Sequence, residues 1–267
     1  MYLQPPVGNK TQLGRPGSGH VGFSSLVNWR PAWFASGTAA LAATVQAAIR
    51  FRPVDKPAVI IPAYGCPDLV AATRFAGADP LFVDLEADTL TINLELFEQL
   101  LKKGPNVVAV IGVDLFGLPE RWREIHQLCS HHNAVCIRDC AQSLQLPDAI
   151  DSNVDSDVRI YTFGRGKPLF LQGGGAALVA TTCSEYFSQS FERVYCNVSR
   201  RSHSFSRSLN LLYNIALHPR CYSVVSHLLG ERIGVTRFKP LTRLDALQEG
   251  FGEFANPAIL RFWNECK

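Results

Sequence analysis

At 267 residues the chain is long enough to bury a substantial core, in one large domain or in one domain plus part of another. Its 47% hydrophobic and 18% charged residues exclude wholesale disorder, and a net charge of +3 is too small to make nucleic acid the main partner. No apolar run reaches the roughly 20 residues that a spanning helix needs; even "LNLLYNIALHPRCYSVVSHLLG" is broken by His218, Pro219 and Arg220, so no membrane span is expected.

The first thirty or so residues read as an irregular Pro/Gly-rich arm, with regular structure starting near Ala35. "SGTAALAATVQAAIRF" is an Ala-rich helix entered through Ser36, Gly37 and Thr38. "AVIIPAY" is a strand closed by Pro62, "PDLVAATRFAG" a helix and "DPLFVDL" a strand. "LELFEQLLKKG" is an amphipathic helix with Lys102, Lys103 and Gly104 at its end, as a helix C-terminus prefers. "VVAVIGVDLFG" is a strand, "ERWREIHQLCSHHN" a helix and "AVCIRDC" a strand, and "VRIYTF" and "AALVAT" add two more strands. This alternation predicts an α/β fold with a mostly parallel sheet. Beyond residue 183 the chain turns to helical segments rich in Arg, Ser and His, with no evident strand pair, and "LRFWNECK" reads as helix. "GVTRFKP", ending in Pro240, marks a candidate boundary.

Cysteines 66, 129, 136, 140, 183, 196, 221 and 266 are scattered, and no cationic start leads into an apolar signal segment. Reduced thiols and a cytoplasmic protein are the expectation.

Four motifs compete for a chemical role. The GxGxxG at Gly17, Gly19 and Gly22 follows Pro16 and a polar arm where a dinucleotide site needs a strand, so it reads as arm. "TFGRGKPLF" fails as a Walker A loop, because Tyr161 stands where the first glycine belongs and Pro168 where Ser or Thr belongs. His126, Cys129, His131, His132, Cys136 and Cys140 contain no CxxC pair and spread over a helix and a strand, so no metal site is expected. Arg193, Arg200, Arg201 and Arg207 could grip a phosphorylated ligand or simply face solvent.

The remaining constellation is "SGTAAL" at a helix entrance, with "IRDCAQSL" and "YTFGRGKPL" at strand ends. Ligands of open parallel sheets bind beyond the carboxyl ends of the strands, so Asp139 and Lys167 could face one cleft. A helix entrance offers N–H groups to an anion. An anion site, a carboxylate and a lysine together meet the needs of pyridoxal 5'-phosphate (PLP): a phosphate anchor, an acidic partner for the pyridine nitrogen and an amine for the aldehyde. The residues alone leave the alternative that Asp139 is a turn former.

From about Pro31 to about Thr182 the blocks "SGTAAL", "VIIPAYGCP", "GADPLFVDLEADTLTINLELFEQLL", "VVAVIGVDLFGLP", "IRDCAQSL" and "YTFGRGKPLFLQGGGA" follow one another as in the DegT/DnrJ/StrS family of sugar aminotransferases, which this sequence resembles. The resemblance implies the large domain of a fold type I PLP-transferase. Carried over position by position, Lys167 would hold the cofactor's aldehyde and shuttle the proton of the amino transfer. Asp139 would pair with the pyridine nitrogen, Gln142 would bond the ring-hydroxyl side, and Thr38, Ala39 and Thr162 would hold the phosphate. Cys66 stands where the family stacks an aromatic ring on the cofactor, and Tyr64 is two residues earlier. Lys167 also argues against the dehydratase branch, which has histidine there.

The implied organisation is an arm over 1–30, a PLP-binding large domain over 31–238, and over 239–267 the start of a small C-terminal domain that is largely missing. The implied activity moves an amino group, with glutamate the expected donor, to a keto group of a nucleotide-linked sugar in polysaccharide or secondary-metabolite synthesis. The implied assembly is a homodimer with the Gly173 to Gly175 turn near the partner's cofactor. The alternative is a catalytically impaired PLP-binding or regulatory homologue lacking the small domain.

Overall fold

A computed structural model describes residues 23, 26–104, 106–147, 155–195, 200–202, 207–218, 220–222, 238–244, 247–249 and 251–266. The chain runs β1 (Trp29–Phe34), α1 (Gly37–Phe51), β2 (Ala58–Pro62), α2 (Asp68–Ala76), β3 (Asp79–Val83), α3 (Leu94–Lys103), β4 (Val107–Val113), α4 (Trp122–His131), β5 (Val135–Asp139), β6 (Val158–Thr162) and β7 (Gly175–Ala180). It continues with α5 (Ser184–Tyr195), β8 (Arg200–Ser202), α6 (Arg207–Ala216), β9 (Leu247–Glu249) and α7 (Phe251–Cys266).

Strands β1 to β7 form one sheet in the order β1-β7-β6-β5-β4-β2-β3. The run from β3 to β6 is parallel, and β7 is antiparallel to both β6 and β1. β2 and β4 are buried along their whole length, as continuous apolar strands of a sheet covered on both faces must be. On one face lie α1, α2 and α5. Ala39, Ala40, Ala42, Ala43, Ala47 and Ala48 of α1 are all buried in the cluster that includes Val59, Ile61, Ile111 and Ile137 of the sheet, and their small side chains let the helix lie close to the strands. On the other face Phe97 and Leu101 of α3 and Trp122 and Ile125 of α4 pack with Ile60, Val110 and Cys136. A third cluster joins β6 and β7 to Phe251, Ala255 and Ile259 of α7.

Two expectations need correction. The arm does not run to residue 30, because Trp29–Phe34 pairs with β7 as an edge strand, Trp29 opposite Ala180 and Phe34 opposite Gly175. Pro31 and the short length of this segment hide an edge strand whose partner, β7, lies far along the chain. The region beyond 183 does hold a strand pair, since Arg200–Ser202 lies parallel to Leu247–Glu249. Three-residue strands carry no periodicity that a sequence reading can detect. The GxGxxG glycines lie outside the described residues. No helix among the described residues is long and apolar enough to cross a membrane.

Candidate active site

In sequence order the sheet grows outward from β2 to β3, then reverses to place β4 on the other side of β2. A crevice opens at such a reversal, beyond the carboxyl ends of the strands. A cleft of about 550 Å³ including open solvent lies there, lined by Gly37, Thr38 and Leu41 of α1, by Cys66, Asp68 and Leu69, by Val113 of β4, by Asp139, Ala141 and Gln142, by Ile160 and Thr162 of β6, and by Lys167.

The lower wall is the start of α1. Ser36 caps the helix: its hydroxyl accepts from the Ala39 N–H at 3.1 Å and its carbonyl from the Ala40 N–H at 3.1 Å. The N–H groups of Gly37 and Thr38 open the helix ahead of these, where N–H groups find no partner within the helix. Gly37 touches the end of β6, and a Cβ on it would lie 2.9 Å from the Thr162 hydroxyl oxygen. The missing Cβ thus leaves a hydroxyl and a helix end side by side. Ala39 sits one step further in, buried and outside the cavity lining.

Asp139 ends β5 and is only 8% exposed. Its Oδ1 accepts from the Ala141 N–H at 2.8 Å. Burial pushes its pKa up to about 6; the Ala141 bond and the Lys167 charge oppose the shift, while Asp114 and Asp68 add to it. Behind it Asp114, fully buried, accepts from Trp122 Nε1 at 2.8 Å, Arg138 Nε at 3.0 Å and Ser143 Oγ at 2.8 Å, and its N–H donates to the Asp139 carbonyl at 3.1 Å. The bonds to Arg138 and Asp139 therefore hold the ends of β4 and β5 together, and those to Ser143 and Trp122 tie in the turn after β5 and the start of α4. Gln142 is fixed by the Phe116 N–H, which donates to its Oε1 at 2.7 Å.

Lys167 comes from the loop between β6 and β7. Phe163 anchors the loop: its carbonyl accepts from Leu171 and Gly173, and its N–H donates to Gly174. Gly166 (φ 77°) and Gly173 (φ 132°) take backbone conformations open to glycine. The chain can then fold back on itself and bring Lys167 to the cleft.

Six of the seven sequence-derived site residues, Thr38, Cys66, Asp139, Gln142, Thr162 and Lys167, thus line one cavity. Cys66 presents a thiol whose pKa is raised, mainly by burial, while the Asp68 N–H that donates to it pulls the other way. Tyr64 is 60% exposed, and its ring lies 6.5 Å from that of Phe116, outside the lining. Asp68 was not picked out by sequence; its only signal is its place directly after Pro67 at a helix start. Of the cysteines and histidines read against metal, Cys129 and Cys136 are buried against one another in the core, and His126 pairs with Asp157 at 3.4 Å.

The sequence of residues 32–208 matches the family described as the DegT/DnrJ/EryC1/StrS aminotransferase family. The chain belongs to that family. It is 31% identical over 147 residues to a UDP-N-acetyl-3-dehydro-alpha-D-glucosamine 3-aminotransferase of Acidithiobacillus ferrooxidans, covering 54% of this chain and 38% of that protein. It is 30% identical over 145 residues to a UDP-2-acetamido-2-deoxy-3-oxo-D-glucuronate aminotransferase of Pseudomonas aeruginosa, covering 54% of this chain and 39% of that protein. The chain therefore matches well under half the length of these curated relatives. A DegT DnrJ EryC1 StrS aminotransferase from Brucella abortus superposes with a TM-score of 0.55 at 21% identity, over 90% of this chain and 55% of the other. That likeness gives the fold, an α/β large domain on a mostly parallel seven-stranded sheet.

Proposed function

We propose that this chain supplies the PLP-binding unit of an aminotransferase that passes an amino group from glutamate to a keto group of a nucleotide-linked sugar, feeding polysaccharide or secondary-metabolite synthesis. The observation that carries this is the buried Asp139 and the half-buried Lys167 lining one cleft with the open end of α1. The nucleotide sugar is supported by the UDP-sugar acceptors in the names of both curated relatives. A cytoplasmic site of action is supported by the free thiols of Cys66, Cys129, Cys136, Cys140, Cys183 and Cys221. The unit works as a homodimer, a reading that rests on the family's habit of completing each site across the interface.

The donor set fits the cofactor. The N–H groups at Gly37 and Thr38 and the Thr162 hydroxyl would hold the phosphate, in a neutral cradle at the positive end of a helix. Ala39 supports that cradle through its bond to Ser36 rather than by contact. Asp139, with its pKa near 6, is ionised at neutral pH and holds the proton on the ring nitrogen. Gln142, pinned by Phe116, bonds the side bearing the ring hydroxyl. Cys66, which lines the cleft, would offer the cofactor a polarizable sulfur in place of an aromatic ring. PLP supplies the aldehyde that takes up the amino group and the ring that accepts an electron pair from the neighbouring carbon. Lys167, which lines the cleft, would hold PLP through its aldehyde and would be the group that moves the proton during the amino transfer.

Adding PLP to the purified chain is expected to raise a visible absorbance band that glutamate bleaches and that Lys167→Ala abolishes. A band unchanged in Lys167→Ala would overturn the assignment of the lysine; a band indifferent to every amino donor would leave a cofactor-binding protein without transfer.

A further inference from the structure

Two helices begin at the cleft. α1 opens at Gly37 and α2 at Asp68, and the Thr38 hydroxyl donates to Asp68 Oδ2 at 3.0 Å between them. A helix N-terminus attracts one anion into a small volume. Here a carboxylate of the chain itself is bonded to Thr38, the second residue of α1. Asp68 lines the same cavity as Lys167 and Asp139, and its charge contributes to the upward shifts of both Asp139 and Cys66. It is half-buried, so it can turn toward water if another group takes Thr38.

We infer that Asp68 tunes the pocket's preference for a phosphorylated ligand, because its carboxylate competes with the phosphate of PLP for the Thr38 end of α1. The inference rests on the reading of this cleft as a PLP site. Phosphate and carboxylate are both acceptors, and they cannot share one hydroxyl proton or sit side by side without repulsion. To seat the phosphate, Thr38 must turn its hydroxyl away from Asp68, and the carboxylate must move out or stay as a like charge nearby. Either way, the gain that the phosphate brings over the unphosphorylated aldehyde is smaller than the helix end alone would give. Asp68 is a positioning residue in this scheme and takes no proton from substrate.

The test compares PLP with pyridoxal, which lacks the phosphate, by the same absorbance titration on the wild-type chain, Asp68→Asn and Asp68→Ser. Both substitutions remove the charge and keep a group that suits the first turn of a helix. PLP is expected to bind both variants about tenfold more tightly than wild type, as removal of one like charge from an anion seat allows. Pyridoxal should change by less than about twofold, because no phosphate is involved. A role confined to the stability of α2 would move both ligands together or neither. PLP affinity that is unchanged or weaker in both folded variants overturns this inference and leaves the PLP reading standing. Failure of the wild-type chain to bind PLP at all, with no cofactor retained on Lys167 after borohydride reduction, overturns both.

Discussion

Gly37, the first residue of α1, lies so close to Thr162 at the end of β6 that a Cβ on it would come within 2.5 Å of the Thr162 Cβ. The helix can approach the strand only because glycine stands there, and the hydroxyl and the helix N–H groups face the cleft together as a result. Gly37→Ala is therefore expected to push α1 and β6 apart, at a cost of about 1–3 kcal/mol in stability. The same change should weaken PLP binding more than pyridoxal binding. Denaturant unfolding and paired ligand titrations would check it, and equal losses for both ligands would contradict the phosphate assignment.

Acidity at Asp139 and Glu120 gives a pH signature. Asp139 goes from 3.8 to about 6 on folding, mainly through burial. Glu120 goes from 4.5 to about 7, again mainly through burial, with its two oxygens accepting from the Ile92 N–H at 3.0 and 3.1 Å. Both pKa values are higher in the folded chain, so these groups favour folding at low pH. That support is lost as pH rises from the carboxylate range through about 6 and 7. Without cofactor, Asp139→Asn should then be more stable than wild type at pH 8, by on the order of 2–3 kcal/mol, and no more stable at pH 3. Chemical denaturation across that range is the measurement. In the presence of PLP the order should reverse, because the variant lacks the charge opposite the ring nitrogen.

Arg138 is 3% exposed and donates to Asp114 at 3.0 Å, to Asp155 at 2.7 Å and to Gln145 at 2.7 Å, with its guanidinium over the Trp122 ring. Removing it leaves the Asp114 charge buried beside fewer donors. Arg138→Met should cost about 3–5 kcal/mol, and Asp114→Asn in the same background should recover part of that loss. A double-mutant cycle would decide it; strictly additive losses would show that the pair is not coupled.

Thiol reactivity probes the cleft without turnover. Cys221 is exposed, whereas Cys66 is half-buried with a raised pKa. Iodoacetamide at pH 7 should alkylate Cys221 well before Cys66, and PLP should slow Cys66 further while leaving Cys221 unchanged. Peptide mass mapping over time reads both rates. Faster labelling of Cys66 in the presence of PLP would place the cofactor elsewhere.

Much of the candidate site was legible because its residues sit at ends of elements whose patterns are strong. "VVAVIGV" and "VCIRD" are buried strands that end at Val113 and Asp139, and Ser36 stands where a helix cap belongs. Asp68 was not legible. Nothing in "PDLVAAT" distinguishes an acid that favours the first turn of its own helix from one that also reaches Thr38, 30 positions earlier. The family resemblance places Ala39 at the phosphate, yet its N–H donates to the Ser36 hydroxyl, a matter of which way one hydroxyl turns. β1 was missed because an edge strand is stabilised by its neighbour, and that neighbour, β7, lies far along the chain.

The sequence by itself determined the order of elements, the apolar strands that fill the middle of the sheet and the chemical groups available at their ends. These follow from local propensity and periodicity, which act over a few residues at a time. Only the tertiary structure decided that β4 returns to the far side of β2 and opens a crevice, and that the glycine loop carries Lys167 into it. The close approach of Gly37 to Thr162 and the bond from Thr38 to Asp68 belong to the same level. Such contacts depend on how whole helices pack on a twisted sheet, where differences of an ångström decide whether a side chain faces the cleft or a neighbour.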